Sequence, residues 1–140
     1  IILLDIDYFK TINDTYGHPT GDTVLIHLAE ILTTNLRASD IAGRYGGEEF
    51  ALILPNTDPP GAATLTERIR DSIAEAPAQH DETTVPFTIS VGISSMTDAV
   101  ADPEALIKNA DLALYAAKAN GRDQMVRFDQ MPTPASPDSE

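Results

Sequence analysis

Two clusters of carboxylates hold the residues of this chain whose types and spacing suit chemistry. Glu48 and Glu49 are adjacent and follow Gly46-Gly47, a dipeptide that can turn a hairpin at positive φ without a Cβ penalty. Asp5 and Asp7 end the apolar run that starts at Ile1, and the two-residue period of a strand puts both on one face. Acids converging from a strand end and a hairpin tip suit a Mg²⁺-phosphate reaction. That ion is usually held by one or two carboxylates plus substrate oxygens. A solvated acidic turn is the competing account of Glu48-Glu49 taken alone, since turns favour polar residues. The upstream Asp5 cluster weighs against it.

Those acids need elements to hold them. Residues 1–7 read as a buried strand, and residues 9–16 as a short helix closed by Gly17. After Gly21-Asp22, the residues Val24, Leu25, Leu28, Ile31, Leu32 and Leu36 recur at helical spacing. Residues 41–54 read as a hairpin of buried strands turning at Gly46-Gly47. Asp58-Pro59-Pro60-Gly61 opens a further helix, in which Leu65, Ile69 and Ile73 share a face, and residues 77–86 read as a polar loop. Phe87, Ile89, Val91 and Ile93 alternate with Thr88, Ser90, Gly92 and Ser94, the pattern of a half-buried antiparallel strand. Asp102-Pro103 starts a last helix, with Pro in its first turn and Asn120-Gly121 at its end. A short strand over 124–128 follows. The order β-α-α-β-β-α-β-α-β predicts an α+β fold, helices covering a mostly antiparallel sheet. Residues 1–128 form one domain, and the proline-rich stretch 129–140 reads as a disordered tail or linker.

Composition narrows the partners. Nine basic residues against 22 acidic ones give a net charge of −13. A nucleic acid polymer is excluded as a partner, because its affinity comes mainly from Lys and Arg on phosphates. A single nucleotide stays compatible if a divalent metal and a few placed cations offset its charge. The absence of cysteine excludes a disulfide framework, a thiolate zinc site and a cysteine nucleophile, and suits a reducing cytoplasm. No apolar run reaches the ~20 residues of a membrane span, so this segment is expected to make no membrane contact. The chain opens without Met inside a core strand, and reads as a fragment whose natural N-terminal part is missing.

Five blocks in order resemble the GGDEF family, the diguanylate cyclases. They are Asp5-Ile6-Asp7-Tyr8-Phe9-Lys10-Thr11-Ile12-Asn13-Asp14, then Tyr16-Gly17-His18-Pro19-Thr20-Gly21-Asp22, then the loop Gly46-Gly47-Glu48-Glu49-Phe50, in the family's GGEEF form. Downstream come Ser90-Val91-Gly92-Ile93 and the closing run Ala110 to Lys118 with Asn120-Gly121-Arg122, after which Asp123 stands where Asn is usual. The family's N-terminal DxLTGLxNR segment is absent. The resemblance implies a palm-like, nucleotidyl cyclase-like fold. It also implies a metal-dependent condensation of two GTP into cyclic di-GMP and two pyrophosphates across a homodimer. An upstream sensor or regulatory domain would control it.

The resemblance also implies roles. Asp5, the carbonyl of Ile6 and Glu48 would hold Mg²⁺, or Mn²⁺ in its place, and one of Glu48 and Glu49 would help deprotonate the 3′-hydroxyl. Asn13 and Asp22 match the positions that read guanine, whose N1–H and N2–H₂ suit a carboxylate acceptor. Helix capping is the alternative for Asp22. His18 matches a position beside the nucleotide, although a lone turn histidine serves equally well as a structural hydrogen-bonder. Lys10, Lys118 and Arg122 match the cations on the triphosphate, with the backbone N–H groups of Phe9 and Lys10 at a helix start. Solvated helix-end cations are the alternative for Lys118 and Arg122. Arg37-Ala38-Ser39-Asp40 matches the family's RxxD inhibitory motif, where product binds. The rival functions are a cyclic di-GMP or GTP receptor without turnover, and a purine mononucleotide cyclase on the related palm fold.

Overall fold

The computed structural model describes residues 1–97, 100 and 102–132. Among the described residues, seven strands and four α-helices are arranged as β1 (Ile2–Ile6), α1 (Phe9–Tyr16), α2 (His18–Asn35), β2 (Ile41–Gly46), β3 (Glu49–Ile53), α3 (Pro59–Glu75), β4 (Ala78–His80), β5 (Thr83–Val85), β6 (Ile89–Ile93), α4 (Pro103–Ala119) and β7 (Gln124–Arg127). The main sheet runs β2-β3-β1-β6-β7. Its β2-β3, β3-β1 and β1-β6 pairings are antiparallel and β6-β7 is parallel, so the sheet is mixed and mostly antiparallel, as expected.

The two faces of the sheet are built differently. Ile2, Leu4, Ile6, Phe50, Leu52, Val91 and Ile93 join Ile12 of α1, Leu28 of α2 and Ile69 of α3 in the main core. On the other face Leu3 packs with Ala110 and Leu114 of α4. A Cβ on Gly92 would fall 2.2 Å from the carbonyl oxygen of Ala110 and 2.4 Å from the nitrogen of Leu114. The α4 backbone therefore rests directly on β6. This corrects the half-buried reading: β6 is buried at every residue. Its alternation of large apolar with Ser and Gly reports the space left for a helix, not exposure to water.

Three local expectations shift. α2 starts at His18, not after Asp22, because Gly17 (φ 92°) is the only break between α1 and α2 and Pro19 sits in the first turn. Asp22 thus lies inside the helix and caps nothing. The hairpin turns at Gly47-Glu48, with Gly46 opposite Glu49; a register shift between Arg44 and Gly46 absorbs one residue, and Gly47 takes φ +36°. Its first strand is not buried either: β2 is the sheet edge and exposed at all positions. Residues 77–86 are not all loop, since β4 and β5 pair across Asp81 (φ 54°) and seat Ala78 and Val85 in the core. Strands of three residues are too short to display a period. After β7, Phe128–Gln130 add one 3₁₀ turn. Of the tail expected over 129–140, residues 133–140 lie outside the described residues.

Candidate active site

The acids converge where β1 ends. Asp5 faces Glu49 across the β1-β3 ladder and Ser90 across the β1-β6 ladder. The N–H of Ile6, at the last position of β1, donates to the Glu48 carbonyl at 3.3 Å, which stitches the hairpin turn to the strand end. Asp5 is only 4% exposed. Its Oδ2 accepts from the Lys118 ammonium of α4, while its Oδ1 is buried with no hydrogen-bond partner. Burial pushes the Asp5 carboxyl above the usual carboxylate range; Lys118 opposes that, and the Glu48 and Asp7 charges add to it. Glu49 is raised likewise, first by burial and then by Asp5.

An orphaned buried carboxylate oxygen is costly unless something electropositive satisfies it. The donors beside it are all oxygens, which suits a hard divalent cation such as Mg²⁺. Among the described residues no three acidic or imidazole side chains converge on one point. A cation held by Asp5, the Ile6 carbonyl and Glu48 would complete its shell from phosphate oxygens and water. Asp7, given no ligand role, has both oxygens engaged: Oδ1 accepts from Ser90 Oγ at 2.6 Å, and Oδ2 from Thr88 Oγ1 at 2.6 Å and the Asp123 N–H at 3.0 Å.

The expected nucleotide contacts lie on the elements that follow. No side chain caps the N-terminus of α1, where Phe9 and Lys10 are expected to meet phosphate; Tyr8 before it has φ 55°. Lys10 is exposed and makes no ion pair among the described residues. Asn13 lies over Gly21, where a Cβ would come within 1.8 Å of its Oδ1. His18 and Asp22 are exposed in the first two turns of α2. The Arg122 guanidinium stacks on the Tyr8 ring at 4.8 Å, joining the β1-α1 turn to the turn before β7. Sequence reasoning missed Tyr8, because only its contact with a residue far along the chain marks it.

A second cleft, of about 240 Å³, lies at the other end of β2. Arg37 and Asp40 line it: the Arg37 N–H donates to Asp40 Oδ2 at 2.9 Å, and the Arg37 guanidinium donates to Thr57 Oγ1 at 2.8 Å. The other Asp40 oxygen is buried without a partner. Arg68 of α3 lines the same cleft and donates to the Asn35 carbonyl. It brings a second guanidinium that no local motif announces.

The chain matches the family model described as diguanylate cyclase, GGDEF domain, over residues 1–124. It is 44% identical over 125 residues to Diguanylate cyclase A of Treponema denticola, covering 89% of this chain and 34% of that protein. The chain therefore spans about a third of that relative's length. Among solved structures it is similar to the GGDEF domain of DgcB from Caulobacter crescentus in complex with c-di-GMP. The TM-score is 0.86 and the identity 34%, over 92% of this chain and 77% of the other. It is also similar to the active GGEEF domain of a diguanylate cyclase from Vibrio cholerae, with TM-score 0.81 and 38% identity over 93% and 82%.

Proposed function

The chain belongs to the GGDEF family of diguanylate cyclases, and from that premise we propose that it condenses two GTP into cyclic di-GMP and two pyrophosphates. The observation that carries the reading is the buried Asp5, with one free oxygen, facing Glu49 across the ladder beside the backbone bond from Ile6 to Glu48. Each domain of a homodimer holds one GTP. Asn13 and Asp22 bind the guanine edge, with His18 alongside, and the α1 N-terminus at Phe9 and Lys10 receives phosphate oxygens together with the Lys10, Lys118 and Arg122 cations. Asp5, the Ile6 carbonyl and Glu48 hold Mg²⁺, or Mn²⁺ in its place. When bound, that cation neutralises phosphate charge and steadies the leaving pyrophosphate. Glu48, assisted by Glu49, takes the 3′-hydroxyl proton. The 3′-oxygen then bonds to the α-phosphorus of the partner's GTP as the bond from that phosphorus to the bridging oxygen breaks.

Product binds at the Arg37/Asp40 cleft, where Arg68 adds a cation and the free Asp40 oxygen accepts from guanine N–H groups. An upstream sensor or regulatory segment controls pairing of the domains, and the reaction takes place in the cytoplasm. No helix among the described residues is long and apolar enough to cross a membrane. A receptor without turnover would need the Arg37/Asp40 cleft but not the intact acids, which favours the enzyme.

The test is to incubate the full-length protein with Mg²⁺ and GTP and identify the nucleotide products. Cyclic di-GMP with pyrophosphate is the expected outcome; binding without product supports the receptor, and a 3′,5′-cyclic mononucleotide the other cyclase class. Glu48→Gln should lower turnover by at least about 100-fold with its melting temperature kept. Full turnover in that variant would remove Glu48 from the chemistry.

A further inference from the structure

The turn that carries Arg122 is held in a conformation that Arg122 does not favour and that Asp123 tolerates. Arg122 (φ 62°) and Asp123 (φ 49°) are consecutive left-handed residues, and neither is glycine. Such backbone persists only where the surroundings over-determine it.

The Arg122 N–H donates to the Ala117 carbonyl of α4 at 3.0 Å and Gln124 Nε2 donates to the Arg122 carbonyl at 3.0 Å, while Asp7 and Arg70 hold the next residue, Asp123. Asp7 is 5% exposed, and the Thr88 and Ser90 hydroxyls lock its carboxylate so that Oδ2 meets the Asp123 N–H at 3.0 Å. Arg70, on α3, donates from Nη2 to the Asp123 carbonyl at 2.6 Å and to Asp123 Oδ1 at 2.9 Å. Its Nη1 is steadied by both Glu67 oxygens, at 2.8 and 3.0 Å. One residue is thus gripped through its N–H by Asp7, just past the end of β1, and through its carbonyl and side chain from α3. The residue before it presents its guanidinium over Tyr8. Aspartate at 123, where the family usually has asparagine, turns the Arg70 hydrogen bond into an ion pair.

We propose that Asp7 and Arg70 are positioning residues for Arg122, fixing the strained turn so that its guanidinium is in place before nucleotide arrives. The proposal rests on the reading that Arg122 binds the triphosphate. A cation already in position loses less freedom on binding than one on a mobile turn. Neither positioning residue needs to touch the nucleotide.

A double-mutant cycle in the full-length protein tests this, with a non-hydrolysable GTP analogue titrated in Mg²⁺ and its dissociation constant as the readout. Arg70→Met should weaken analogue binding about fivefold. With Arg122→Ala already present, the same change should have no further effect. Asp7→Ala should follow the same pattern. Asp7→Asn, which keeps an acceptor for the Asp123 N–H and can donate to Ser90, should restore most of the affinity. If Asp7→Ala does not fold, the Arg70 variant still carries the test. An equal loss in both backgrounds, or no loss where Arg122 is intact, overturns the proposal. If Arg122→Ala alone leaves analogue binding unchanged, the phosphate role of Arg122 fails first, and the positioning proposal falls with it.

Discussion

At the scale of single residues, the site is a place where charge is held against its own preference. Glu49 is pushed above the usual carboxylate range by burial and by Asp5. The native state therefore binds the Glu49 proton more tightly than the unfolded chain does. Ionising Glu49 costs stability as pH rises from the unfolded value through the raised one, and the full cost applies above both. Glu49→Gln removes that cost, so the variant should melt higher than the native protein near pH 7. The gain should shrink toward zero as pH falls to about 4. Thermal unfolding without nucleotide at both pH values checks it, and a gain that grows on acidification would reverse the assignment. Gly21 offers a second test. A Cβ there clashes with the end of the Asn13 side chain, which can swing away, and otherwise only touches Phe9 Cζ at 3.4 Å; alanine is the better helix former by about 1 kcal/mol. Gly21→Ala should therefore keep or raise the melting temperature while raising KM for GTP several-fold. Unchanged KM would separate Asn13 from the guanine. The acids were legible in the sequence because they are closely spaced within each block, and the motif cations because basic residues are scarce in this chain. Tyr8, Arg68 and Arg70 were not, since what marks them is contact with residues 33 to 114 positions away. The Arg68–Asn35 and Arg70–Asp123 bonds span 33 and 53 residues, and the Tyr8–Arg122 stack is longer still.

At the scale of elements, the sheet turns side-chain size into position. The small residues of β6 let α4 come close enough for its last turns to set Lys118 against Asp5. Gly92→Ala would force three backbone atoms of α4 aside, none of which can rotate away. Overpacking of this kind typically costs about 1–3 kcal/mol, and this contact belongs at the upper end. A fall of several degrees in melting temperature is expected, with a loss of turnover larger than the stability change explains, since Lys118 moves with α4. A variant melting like the native protein would show that α4 is not seated as described. The order of helices and strands could be read from periodicity alone because most elements are long enough to repeat it. The β4-β5 hairpin could not, and the size alternation of β6 read as exposure because a covering helix leaves the same period as water. The turn at Gly47-Glu48 was misplaced by one residue because the register shift in β2 leaves no mark in composition.

At the scale of the whole molecule, the two proposed nucleotide sites stand at opposite ends of one edge strand. Asp40 directly precedes β2 and Gly46 ends it, so an extended chain of about 3.3 Å per residue separates the Arg37/Asp40 cleft from the catalytic turn by roughly 20 Å. Product in the cleft cannot occupy the GTP site of the same domain. The inhibition proposed at this cleft would then act through β2, through α3, which carries Arg68, or by holding two domains in an arrangement where their sites do not meet. Each route leaves GTP binding possible and turnover impaired. Cyclic di-GMP should accordingly lower kcat of the full-length protein with little change in KM, and excess GTP should not relieve it. Arg37→Ala should abolish that inhibition while leaving initial rates intact, because among the described residues the exposed Arg37 guanidinium bonds only Thr57 and Asp40 and supports no core element. Arg68→Ala should weaken it by at least about tenfold, as expected for one charge-assisted contact. Inhibition that high GTP overcomes, unchanged in the Arg37 variant, would place the product in the catalytic cleft instead and leave the second cleft without a role.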